Sequence, residues 1–227
     1  MTNKNLYKYA LTHWADHEIS VTNASKSGSG VPLVESEHVL YHFDAICASM
    51  FEGQDSSTSA DGLQVEARKI DFVEFKSGFK QKVTKEKFDP AQGACPKTKE
   101  VCSDYWDLFW ENQDRKIKEL ISSIRIKAIE SYILLEKHFF PMCESLEGSA
   151  NAKVNFVVVV DEDGVEGIED TLAELAGTEP DTGNHLISIR QSLKRLVNRQ
   201  DTAGLPYFYD KIEVLSASDY AALLSRR

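Results

Sequence analysis

Three residue types that act together on phosphate esters fall close to one another in the stretch Ala60 to Lys82, "ADGLQVEARKIDFVEFKSGFKQK". Glu74 and Lys76 stand two apart in a segment otherwise fit for burial, with Ile70, Phe72, Val73 and Phe75 around them. A pleated strand repeats every two residues, so a carboxylate and an ammonium at this spacing share one face. That face is either wet or occupied with a task. Upstream, Asp61 stands at the start of the preceding strand-like segment, where pairing of the two strands converges two carboxylates. At about 4 Å and an effective dielectric near 20 their repulsion is about 4 kcal/mol, which a divalent cation or a proton would relieve. A hard, oxygen-only site of this kind suits Mg²⁺, with Mn²⁺ as its substitute. Such an ion lowers the pKa of bound water and neutralises charge on a reacting phosphodiester. Lysine adds a compact positive charge beside it.

The triplet acid-x-Lys is by itself a poor witness, because a chain with this many charges contains about three by chance. It occurs at Glu74-Phe75-Lys76 and at Asp114-Arg115-Lys116. The latter opens a helical region, where such residues are ordinary surface groups. Only the former sits within a strand between large apolar neighbours and has Asp61 upstream.

In Asp61, Glu74 and Lys76, and in the phrase "VEFKSG", the chain resembles the PD-(D/E)XK nuclease superfamily, with Ala60 where the motif's name has Pro. The resemblance implies a restriction-endonuclease-like α/β fold, a mixed central sheet flanked by helices. It further implies a metal-dependent nuclease in which Asp61 and Glu74 hold Mg²⁺ (or Mn²⁺) and Lys76 orients or activates the attacking water. A further acid from the first helix of the core is expected at Asp44 in "YHFDAI", or else at Glu37. The motif covers residues 60–79, and the order of elements extends the likeness over residues 35–160.

The elements that must position these groups follow from hydrophobic periodicity. Residues 6–17 predict a short helix, followed by a small-residue connector, "TNASKSGSGVP". Val39, Phe43, Ile46, Cys47 and Met50 have helical spacing and predict a helix over residues 35–51. Leu63, Val65 and Ala67 alternate with polar residues, and a strand over residues 70–77 follows, so a hairpin about Arg68 and Lys69 is expected. Two strands thus precede the long helix, where the family's core has three. That helix is expected to run from near Val101 to Phe140 on the stripe Ile117, Leu120, Ile121, Ile124, Ala128, Ile129, Tyr132 and Leu135, closed by Pro141. "KVNFVVVV" has the unbroken β-branched character of a strand buried on both faces. Helices near residues 165–176 and 186–199, the strand "YDKIEVL" and a terminal helix complete the pattern. The reading is one domain over residues 1–227: an N-terminal helix and connector (1–34), a nuclease-like core (35–160), and C-terminal helices and a strand (161–227).

At 227 residues, 42% hydrophobic and 27% charged, the chain has the composition of a globular protein. Its formal net charge of −10 repels nucleic acid at long range and argues against a nonspecific polyanion binder. A local basic surface is still compatible with a nucleic-acid partner, because fields are screened within about 8 Å. Lys80, Lys82, Lys85, Lys87, Lys97 and Lys99 follow the motif, and Arg190, Lys194, Arg195 and Arg199 recur at near-helical spacing. These are the candidates for contact with a phosphate backbone, with solvated surface as the plainer alternative. Cys47, Cys95, Cys102 and Cys143 form no CxxC pair, so reduced thiols and a cytoplasmic setting are expected. No signal peptide or membrane-spanning run is read.

Three other constellations compete. Asp161-x-Asp163-Gly164 after an aliphatic strand resembles the nucleophile motif of haloacid-dehalogenase-type phosphatases, and implies a phosphomonoesterase; an acidic turn explains it more simply. His13 with His17 and His38 with His42 stand at i,i+4, a spacing that two zinc ligands on a helix use. Cys95 and Cys102 with His138 and Cys143 form a sparser zinc set. A noncatalytic binding or assembly module on the same fold is the alternative to the nuclease.

Overall fold

A strand that is apolar on both faces needs a neighbour on each edge and a layer on each side, and "KVNFVVVV" obtains all four. The structure, a computed structural model, describes residues 6–26, 30–51, 58–79, 99–143, 152–161, 185–198 and 208–226. The apolar run forms β5 (Lys153–Val160), which lies parallel both to β4 (Lys69–Lys76) and to β6 (Lys211–Ser216). β4 pairs antiparallel with β3 (Gly62–Glu66), β3 with β2 (Val39–His42), and β2 with β1 (Glu18–Ser20). The result is a six-stranded mixed sheet in the order β1-β2-β3-β4-β5-β6.

Period-two alternation sorts the side chains between two cores. Ile70, Phe72, Val154, Phe156, Val158 and Val160 face a large cluster built with α1 (Leu6–His13), α3 (Phe43–Met50), α4 (Lys99–Leu134) and α5 (His185–Asn198). Val73, Phe75, Val157 and Val159 face a smaller one, closed by Val21 of α2 (Val21–Ala24) and by Tyr220 and Leu224 of α6 (Ala217–Leu224). Each fully buried aliphatic or aromatic side chain contributes about 1.5–3 kcal/mol. Glu74 and Lys76 belong by alternation to the first face, under α4. That face is covered, and Glu74 is 0% exposed.

The N-terminal third differs from the expected pattern. Residues 35–51 are not one helix: Val39–His42 is a strand, and the helix begins only at Phe43. Val39 shares helical spacing with Phe43, yet it is 49% exposed while Leu40 is buried, which is strand alternation. His38 and His42 therefore do not share a helix face. Glu18–Ser20 supplies a further strand, so four strands precede the long helix rather than two, and the sheet draws on residues outside 35–160. The described residues of the connector are also held in place: Ser20 caps α2 by accepting from the Asn23 N–H, and Lys26 pairs with Pro32. The hairpin turn falls at Ala67 and Arg68, between the paired residues Glu66 and Lys69.

α4 follows its predicted stripe, with Ile117, Ile124, Ala128 and Tyr132 buried. It continues through a π-helical segment, Leu135–Phe139, into a last turn, Phe140–Met142. Pro141 lacks the N–H that an α-helix would ask of it, and such a π segment is one accommodation for an altered hydrogen-bond ladder. The expected helix at residues 165–176 lies outside the described residues. No helix among the described residues is long and apolar enough to cross a membrane.

The rotation of α4 over the sheet is fixed near its middle. Tyr209, fully buried between Phe72, Phe156 and Tyr132, donates its hydroxyl to the Ala128 carbonyl at 2.5 Å. Tyr209→Phe is expected to cost about 1 kcal/mol in denaturant unfolding and Tyr209→Ala about 3–5 kcal/mol, since the first removes one hydrogen bond and the second opens a cavity.

Candidate functional site

Gly62 pairs with Val73, so the residue before β3 stands opposite the residue after Val73: Asp61 opposite Glu74. Gly62 leaves room for Leu40 of β2, because a Cβ there would lie 2.8 Å from its Cδ1. Asp61 Oδ2 accepts the Phe75 N–H at 2.7 Å, which fixes the carboxylate against β4. Its other oxygen, Oδ1, accepts from Lys127 Nζ of α4 at 3.0 Å. The same ammonium donates to Glu74 Oε2 at 2.9 Å. The two carboxylate oxygens are therefore no farther apart than these two bonds placed end to end.

Lys76 completes the group. Its Nζ lies 4.0 Å from Glu74 Oε1 and donates to Ser123 Oγ of α4 at 3.3 Å. Glu74 Oε1 is buried and has no hydrogen-bond partner among the described residues. One turn apart along α4, Ser123, Lys127 and Ser131 form a polar seam within an otherwise apolar contact. Ser131 Oγ accepts the Ala60 N–H at 2.8 Å, and Glu130 accepts from the Thr58 hydroxyl at 2.7 Å. The helix thus holds residues 58–61 and the two carboxylates at once.

Burial and the neighbouring Asp61 push the Glu74 carboxyl up to about 8, against the pull of Lys127 and Lys76. For Lys127, burial works against the charged form, but Glu74 and Asp61 outweigh it and the ammonium is held above its ordinary value. The ammonium is thus charged at neutral pH, and the carboxyl carries the unfavourable side of the pairing. Lys127 was not singled out by its sequence. The signal was its position: Ser123, Lys127 and Ser131 run at i, i+4 and i+8 beside the buried positions Ile124, Ala128 and Tyr132.

The structure thus brings Asp61, Glu74 and Lys76 together, whereas Asp44 goes elsewhere. Asp44, in the first turn of α3, accepts the Ser59 hydroxyl at 2.6 Å and so braces the segment leading to Asp61. Glu37 is exposed ahead of β2. Among the described residues no three His, Cys, Asp or Glu side chains are placed to hold a metal ion, so neither acid completes a three-ligand cluster with Asp61 and Glu74, and neither histidine pair gains a third ligand there. Cys95 and the side chain of Cys102 lie outside what the structure describes. Cys47 and Cys143 are buried.

No protein-family model, curated protein or solved structure matches the chain. Its site is therefore read from its own geometry.

Of the candidate basic residues, Lys80, Lys82, Lys85, Lys87, Lys97 and Arg199 lie outside the described residues. Arg190 donates to the Val214 carbonyl at 3.0 Å, which ties α5 to β6, while Lys194 and Arg195 are exposed on α5. Asp161 accepts the N–H groups of Gly78 and Phe79 at 2.8 and 2.9 Å. Its carboxylate clamps the exit of β4 to the end of β5. Asp163 lies outside the described residues.

The Glu74 shift has a definite sign. Its folded value, about 8, lies above the ordinary value of 4.5, so its contribution to stability is greatest below pH 4.5 and is lost as pH rises towards 8. Glu74→Gln cannot ionise. The stability of this variant relative to the unmodified protein is expected to rise between pH 5 and pH 8 by on the order of 1 kcal/mol per pH unit, read from urea unfolding at each pH. A pH-independent difference would contradict the assigned direction.

Proposed function

We propose that this protein is a metal-dependent nuclease of the restriction-endonuclease-like, PD-(D/E)XK type, hydrolysing phosphodiester bonds of nucleic acid. The observation that carries the reading is Glu74 Oε1: a carboxylate oxygen, buried and without a donor among the described residues, beside a second carboxylate and at the edge of a lysine. A buried oxygen left in this state costs about 1–3 kcal/mol, and a hard cation is a fitting partner for it. Two carboxylates suffice for Mg²⁺, which commonly takes one or two from the protein and the rest of its shell from water and substrate phosphate. Asp61 and Glu74 are the residues that would hold it. Bound there, Mg²⁺ or Mn²⁺ would acidify water and offset charge on the reacting phosphate.

The chain's own residues supply the remaining work. The Phe75 N–H orients Asp61 through Oδ2 and leaves Oδ1 facing the site. Lys76, partly exposed and steadied by Ser123, presents a positive charge at the site's edge, where it can meet a phosphate oxygen or orient a water. Lys194 and Arg195 on α5 add exposed positive charge for a nucleic-acid backbone. The buried, free thiol of Cys47 is compatible with the reducing, cytoplasmic setting expected from the cysteine spacing.

One observation favours a second reading, a noncatalytic binding or assembly module. Lys127 already engages one oxygen of each carboxylate, which is how a site of this shape would be closed once it no longer needed a cation.

The two readings separate on incubation with duplex DNA, single-stranded DNA and RNA in Mg²⁺ or Mn²⁺. The nuclease predicts cleavage that chelator abolishes and that Glu74→Gln, Asp61→Asn and Lys76→Ala each lower on the order of 100-fold or more. Cleavage indifferent to Glu74→Gln would remove the mechanism, and no cleavage of any of the three would favour the module.

A further inference from the structure

We infer that Lys127 is a displaceable internal counter-ion, which occupies the Asp61–Glu74 pair in the metal-free protein and must leave it for a divalent cation to bind. The inference rests on the metal reading above and adds to it a regulation of that site: metal occupancy is set by competition with a side chain of α4.

The geometry gives the competition its form. Lys127 Nζ takes one oxygen from each carboxylate, Asp61 Oδ1 at 3.0 Å and Glu74 Oε2 at 2.9 Å, and so sets a positive charge between the two residues that would hold a cation. A compact ammonium and a divalent cation repel one another at such short range, so the two would compete for the pair. The backbone around the pair is fixed by other bonds, so release of the ammonium need not dismantle the site. Asp61 keeps the Phe75 N–H on Oδ2, Ser131 keeps the Ala60 N–H, and Tyr209 keeps α4 at the Ala128 carbonyl next to Lys127. What can move is the lysine's four-carbon stem. Its side chain is 19% exposed, whereas that of Glu74 is 0% exposed, so the ammonium has a way out to water that the carboxylate lacks. Lys76 is placed differently: at 4.0 Å from Glu74 Oε1 and bonded to Ser123, it leaves the shared oxygens free.

Titration of the purified protein with Mn²⁺, followed by calorimetry, tests the competition in Lys127→Met and in Lys127→Gln, which keeps a polar group at the position. Both are expected to bind Mn²⁺ about tenfold or more tightly than the unmodified protein, a gain of about 1.4 kcal/mol or more. A second measurement needs no variant. At constant pH, saturating Mn²⁺ is expected to raise acylation of the Lys127 amine several-fold, read by peptide mass spectrometry. Mn²⁺ binding that is equal or weaker in the variants, or Lys127 labelling that metal leaves unchanged, would overturn the inference and leave the metal site standing. Absence of Mn²⁺ binding in the unmodified protein and in both variants would overturn both.

Discussion

Burying a carboxylate under a helix obliges that helix to bring a donor, and the architecture around Glu74 follows from this demand. Glu74 is enclosed between β4 and α4, and the donor is Lys127. For the ammonium to arrive, α4 must be held in both rotation and translation along its 36 residues. Apolar packing of Ile117, Ile124 and Tyr132 sets the buried face but tolerates small slides, because hydrophobic contact has little direction. Directional bonds remove that freedom: Tyr209 to the Ala128 carbonyl, Ser131 to the Ala60 N–H, and Lys127 to two acids at once. Asp61 is drawn into the same arrangement from the start of β3. One ammonium therefore joins two strands and a helix.

Strand β4 carries a second buried carboxylate, and the contrast between the two separates structure from site. Asp71 lies on the opposite face of the sheet from Glu74 by period-two alternation. It accepts from Asn155 Nδ2 of β5 at 2.7 Å and is paired with Lys69. Its partners come from its own strand and the next one, and both of its oxygens are engaged. Glu74 instead takes its partner from a helix far along the chain and leaves Oε1 without one among the described residues. A fully engaged buried carboxylate is accounted for by folding alone, whereas one that is half engaged retains capacity for a further cation or proton.

What the sequence made legible tracks the length over which a pattern repeats. β5, α4, α5, β6 and α6 have enough residues for periodicity to declare them, and the hairpin between β3 and β4 was visible in the alternation of Leu63 and Val65. β1 and β2 span three and four residues, too few for a period to establish itself. Chance also misled, since Val39 fell in helical step with Phe43 and Ile46. Strand pairing between residues distant in sequence, Glu18 with Tyr41 and Tyr41 with Leu63, is what makes those residues a sheet. For the candidate site, local spacing brought out Asp61, Glu74 and Lys76. Lys127 was out of reach because its role is a contact across 53 and 66 positions of chain. Asp44 and Asp161 were legible as acids but not as braces, because the hydroxyl and N–H groups that engage them come from other segments.

The braces also bear on how an acidic protein would admit an anionic substrate. The chain carries a formal charge of −10, yet Asp44 and Asp161 stay bound to donors of their own at the site's approaches. Asp61 and Glu74 face Lys127 and Lys76, so two potential negative charges meet two positive ones. Within a screening length of about 8 Å the local balance outweighs the distant excess. Burial and Asp61 raise the Glu74 carboxyl, which moves the balance of this group towards positive. The local field then does not oppose a phosphate, and a cation entering between the two acids would strengthen its attraction.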